Sequence, residues 1–80
     1  METTKPRDPL AQAWGDAIKN KRDGKFTQVE LAARVGVEQA TVSKWENGLL
    51  IPSPRLQSRI VDALGITADD WFAIQQAGAA

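Results

Sequence analysis

The sequence predicts an all-α fold: a compact domain of five short helices. Helix start and stop signals recur at five places along the 80 residues, separated by short connections. No β-branched run alternates between turn residues in the way a strand would require. Eighty residues, 42% of them hydrophobic, leave room for one core.

Asp8-Pro9 opens the first helix, an N-cap carboxylate followed by a proline at the position where its missing N–H costs nothing. Leu10, Trp14, Ala17 and Ile18 follow at helical spacing, and Asp23-Gly24 ends the run. The second helix starts at Thr27, where Thr27 and Glu30 have the spacing of a capping box. Leu31, Ala32 and Val35 face inward, and Gly36 supplies a left-handed residue after the last turn. The third begins near Glu38 or Gln39, turns Val42 and Trp45 to one side, and stops at Asn47-Gly48. Ser53-Pro54 opens the fourth, which buries Leu56, Ile60 and Leu64 and ends at Gly65. Thr67 caps the fifth, with Asp69 and Asp70 in its first turn and Trp71, Phe72 and Ile74 along it. The expected organisation is a flexible arm over residues 1–8, a domain over 9–76 and a disordered tail over 77–80.

Composition removes several kinds of chemistry. The chain has no cysteine and no histidine, so disulfides, thiolate catalysis, Cys/His zinc sites and a histidine base are all excluded. No enzyme activity, metal, cofactor or small-molecule ligand is expected. No apolar run is long enough to span a bilayer, and the first residues lack a signal-peptide core, which gives a cytoplasmic expectation. Net charge is zero, yet every Lys and Arg lies within residues 1–60, which carry +3 against −3 for residues 61–80. That asymmetry suggests a partner for the basic part.

The second and third helices carry the most information. A helix of about eight residues, a turn of about three and a helix of about nine form the helix-turn-helix layout, here over residues 28–47. So short a turn makes the helices cross steeply; Ala32 is small enough for their close approach, and Gly36 permits the backbone bend. Val42 and Trp45 point to the core. The opposite face of the third helix then offers Gln39, Ala40, Ser43, Lys44 and Asn47, which are short, polar or cationic.

Through Thr27-Gln28, Leu31-Ala32, Gly36-Val37, Thr41-Val42-Ser43, Trp45-Glu46, Gly48, Pro52 and Leu64-Gly65, the chain resembles the phage repressor and Cro family of lambda-repressor-like DNA-binding domains. The resemblance spans roughly residues 14–75. Two positions depart from the family pattern: the connection from Arg22 to Gln28 is one residue short, and Glu38 stands where serine or threonine is usual. A carboxylate there either turns away from DNA or accepts from a cytosine amino group.

The resemblance implies that the third helix enters the major groove. Gln39 would be the main base reader, Ala40 would meet a thymine methyl, and Ser43 and Lys44 would contact bases adaptably. Gln28, Thr41, Asn47 and Arg55 would contact phosphates, Thr41 from the edge of the reading face. Arg22 is the family-like partner for Glu46, in a pair that orients the third helix. The implied function is sequence-specific binding of double-stranded DNA by a phage or bacterial regulator, a repressor or Cro-like protein. A homodimer on a palindromic operator is expected, with Trp71, Phe72 and Ile74 as candidates for its contact. The rival expectation is an antitoxin-like module that binds a toxin protein and uses DNA only for autoregulation.

Overall fold

In the computed structural model, which describes residues 8–79, five helices run in the expected order: α1 (Pro9–Arg22), α2 (Gln28–Val35), α3 (Gln39–Glu46), α4 (Pro54–Leu64) and α5 (Ala68–Ala79). The local signals act as capping chemistry predicts. The Leu10 amide donates to Asp8 Oδ1 at 2.8 Å. At α2, the Glu30 amide donates to Thr27 Oγ1 (3.1 Å) while the Thr27 amide donates to Glu30 Oε1 (2.8 Å), so both halves of the capping box are present. Ser53 makes no side-chain cap bond, and α4 relies on Pro54 alone for its start.

Apart from Asp8, the expected N-terminal arm lies outside the described residues. The end of the chain needs correction, because α5 continues past residue 76 to Ala79. Close packing explains the extension. A Cβ placed on Gly78 would come within 2.6 Å of Leu10 Cδ1, so the last turn lies directly on the start of α1.

Helix α1 runs through the middle of the fold and packs against α3, α4 and α5, while α2 packs against α3 and α4. Trp14, Ile18, Leu31, Val35, Val42, Trp45, Ile60, Leu64, Ile66 and Ile74 meet in one core. Leu56, expected inside, is only partly buried at its edge. The indoles of Trp14 and Trp71 sit edge to face, with centroids 5.3 Å apart and planes at 83°. Trp71 is therefore committed to the core edge and Ile74 to its interior, at 4% exposure. Of the three α5 residues considered for contact with a second copy, only Phe72 stands open, at 63%.

Asp70 links the two ends of the fold. Its amide donates to Thr67 Oγ1 at 3.1 Å, and the Thr67 amide donates to Asp70 Oδ2 at 3.2 Å, forming a second capping box. Lys21 Nζ lies 2.9 Å from the same oxygen and ties α1 to α5. The Lys21 hydrogen bond first, then the bonds with Thr67, hold the Asp70 carboxyl below its ordinary range. A carboxyl depressed in the folded state adds stability that is complete above its unfolded value of about 3.9 and is lost as pH falls through the folded value. Asp70→Asn is thus expected to melt below wild type at pH 7, with the gap closing progressively in acid below pH ~3.9. Paired thermal melts across that range check this, and a gap that persists undiminished in strong acid contradicts it.

Candidate nucleic-acid interface

The bend between α2 and α3 is built from backbone and glycine. Gly36 adopts φ 88°, ψ 35°, a left-handed conformation that side chains resist. The amides of Gly36 and Val37 both donate to the Ala32 carbonyl, at 2.8 and 2.9 Å. Arg59 of α4 reaches across and donates from Nη1 to the Val35 carbonyl at 3.1 Å, satisfying an acceptor that the helix end leaves open. Ala32 is buried at the crossing, and Val37 packs against the core.

Helix α3 is anchored by two side chains, Val42 and Trp45, both essentially inaccessible. Apart from Glu46, whose side chain turns inward, the rest of it is left toward solvent or the edge. Gln39, Ala40, Lys44 and Asn47 are exposed, and Thr41 and Ser43 are half-buried. Asn47 Nδ2 lies 3.4 Å from Ser43 Oγ, a long contact that leaves both groups available. Glu38 precedes the helix in extended conformation, is exposed, and makes no side-chain cap bond. Its charge still suits the positive end of the α3 dipole.

Behind this face lies a polar chain that joins three helices. Arg22 at the end of α1 donates from Nε to Glu46 Oε2 and from Nη2 to Glu46 Oε1 (3.0 Å), a two-pronged ion pair, and from Nη1 to the Phe26 carbonyl (3.1 Å). The Glu46 side chain is only 5% exposed, and its hydrogen bond to Arg22 holds the guanidinium above its ordinary pKa. Glu46 Oε1 also accepts from Gln28 Nε2 at 3.0 Å. Gln28 Oε1 in turn accepts from Gln39 Nε2 at 2.7 Å. Such a pair roughly offsets its own desolvation, so its effect is to fix orientation more than to add stability.

Gln28, expected at a phosphate, and Gln39, expected at a base, are bonded to one another, a contact that their spacing in the sequence does not imply. Gln28 is half-buried, and one side of its amide is occupied by Glu46. Arg55, in the first turn of α4, is exposed and separated from Asn47 by a loop. That loop presents Leu49 (65%) and Leu50 (43%) to solvent, while Gln57 Nε2 steadies it by donating to the Pro52 carbonyl at 2.8 Å. Sequence reading passed over these leucines, because apolar residues beside a turn look the same whether packed or open.

An exposed second helix, gripped from behind and carried by a tight glycine turn, defines a helix-turn-helix domain of the DNA-binding kind. The chain belongs to the helix-turn-helix family of Cro/C1 type, whose pattern matches residues 18–71. Two solved structures are similar along nearly all of it. One, the clp gene regulator ClgR from Corynebacterium glutamicum, is 30% identical with a TM-score of 0.76, covering 92% of this chain and 81% of that one. Another structure of ClgR from C. glutamicum is 28% identical with a TM-score of 0.74, covering 92% and 97%. Among curated proteins, none matches this chain. Among the described residues, no helix is long and apolar enough to cross a membrane.

Proposed function

We propose that this chain is a sequence-specific transcription regulator of Cro-like type, which inserts α3 into the major groove and blocks a promoter sterically. The observation that carries the reading is the open face of α3, with Gln39 presented at its start and held from behind by Gln28. Gln39 reads an adenine through N6 and N7, Ala40 meets a thymine methyl, and Ser43 and Lys44 adapt to neighbouring edges. Thr41, Asn47 and Arg55 hold phosphates, and the second amide hydrogen of Gln28 adds another such contact. The similarity to ClgR, described as a clp gene regulator, supports a regulatory role. A few phosphate contacts per copy give modest affinity, so two copies act on a palindrome with half-sites about 34–36 Å apart.

Two substitutions test the division between reading and holding. Gln39→Ala is expected to cost about 1–3 kcal/mol on the preferred site and to flatten the preference at one base pair. Arg55→Ala should weaken all duplexes alike and reduce the slope of log affinity against log salt by about one. Duplexes selected from a random pool, titrated at several salt concentrations, give both numbers. If Gln39→Ala leaves the selected motif unchanged, the assignment fails.

A further inference from the structure

We propose that Glu46, a residue with no path of its own to DNA, excludes guanine from the position read by Gln39, through a one-way hydrogen-bond relay via Gln28. The inference rests on the proposed reading role of Gln39 and specifies how its choice of base is made.

The direction of the relay follows from counting donors. An ionised carboxylate only accepts hydrogen bonds. Glu46 is held as an acceptor by both prongs of Arg22, so the group that Gln28 turns toward it must be the NH2. Gln28 therefore faces Gln39 with its carbonyl oxygen, and Gln39 must answer with its own NH2, at 2.7 Å. One of the two amide hydrogens of Gln39 is now committed. What remains for a base is one N–H and one carbonyl oxygen. Adenine presents an acceptor at N7 and a donor at N6, which match that remainder one for one. Guanine presents two acceptors, N7 and O6. Engaging both would take both amide hydrogens, and one is already occupied; the carbonyl oxygen of Gln39 would instead face O6, acceptor against acceptor. A free glutamine could turn its amide over or offer both hydrogens. This one cannot do so without breaking its bond to Gln28 or reversing Gln28 against the carboxylate of Glu46.

The relay thus makes Glu46 and Gln28 positioning residues whose signature is a ratio of affinities, in which the loss of the Gln28 phosphate contact, equal for all duplexes, cancels. The probes are the duplex that the wild-type chain enriches from a randomised pool and the same duplex with each A·T pair of its motif changed singly to G·C. At the pair sensitive to Gln39→Ala, wild type should prefer A·T by about 5- to 150-fold, the range of one good bidentate contact. Gln28→Met keeps the length and helical preference of the side chain but removes its hydrogen bonds. It is expected to weaken both duplexes through the lost phosphate contact but to bring that ratio to within about 3-fold of unity, by a relative gain of the G·C duplex, with a melting curve close to wild type. Glu46→Gln, which can donate as well as accept, should lower the ratio as well and guards against a packing artefact in the first variant. A preference that survives both variants while Gln39→Ala abolishes it overturns the relay and leaves Gln39 as the reader. A preference that survives Gln39→Ala at every pair overturns the reading role itself.

Discussion

Trp45→Ala is expected to remove about 3–5 kcal/mol of folding stability, the usual cost of truncating a buried tryptophan or phenylalanine to alanine. An 80-residue domain has only roughly 4–12 kcal/mol in total, so much of the chain would be unfolded near physiological temperature. The size of the effect follows from how α3 is attached. Its eight residues contribute just two buried apolar side chains, Val42 and Trp45, and of these the indole is by far the larger. Truncation leaves a void that α1, threaded through the middle of the fold, has little freedom to fill. At about 4–8 °C per kcal/mol, the thermal midpoint should fall by at least ~12 °C. An alternative role for this tryptophan, stacking on a base, makes a different forecast: normal stability with lost DNA binding. Urea or thermal unfolding of Trp45→Ala, with Lys44→Ala beside it as an exposed neighbour, separates the two. A Trp45→Ala protein as stable as wild type would show that the indole is not what holds the helix.

Much of this fold is legible in the sequence because its boundaries are set by local chemistry. Asp8-Pro9, the Thr27–Glu30 box and the glycines at 36 and 65 act within a few residues of themselves, and the chain obeys them. The pairing of Arg22 with Glu46 was also within reach, by resemblance, since the end of the first helix and the end of the third meet in this layout. What stayed hidden depends on distant neighbours. That α5 continues through Gly78 is decided by its contact with Leu10, on the first helix. That Ile74 faces the core and Phe72 faces water is a question of rotation about α5, whose apolar residues Trp71, Phe72 and Ile74 are too evenly spread for periodicity to choose a face. The same limit applies to the site. The exposed side of α3 could be drawn from Val42 and Trp45 alone, as the side opposite to them. The bond from Gln39 to Gln28 depends on the angle between two helices, and no spacing rule encodes that angle.

Gly15→Ala is expected to destabilise the domain by about 2–3 kcal/mol, although the same change in an exposed helix would stabilise it by about 1 kcal/mol. A glycine in mid-helix is costly enough to hint at a packing reason, and here the reason is backbone against backbone. A Cβ on Gly15 would collide with the carbonyl oxygen of Trp45 and lie 3.0 Å from that of Glu46. The obstacles are main-chain atoms at the end of α3, so no side-chain rotation relieves the overlap; one helix must move. Overpacking typically costs about 1–3 kcal/mol and more where backbone has to shift, which outweighs the helical gain. The displacement has a second consequence. Glu46 belongs to the segment that is pushed, and Arg22 lies two turns further along the helix that pushes it, so the ion pair opens as the helices separate. Because Gln28 and Gln39 are held through Glu46, the variant should also lose discrimination between duplexes out of proportion to its loss of affinity. Denaturant midpoints give the first quantity, and titration of matched and mismatched duplexes at a temperature where the variant is folded gives the second. If Gly15→Ala proves more stable than wild type, close backbone contact between α1 and α3 is not what supports the reading face.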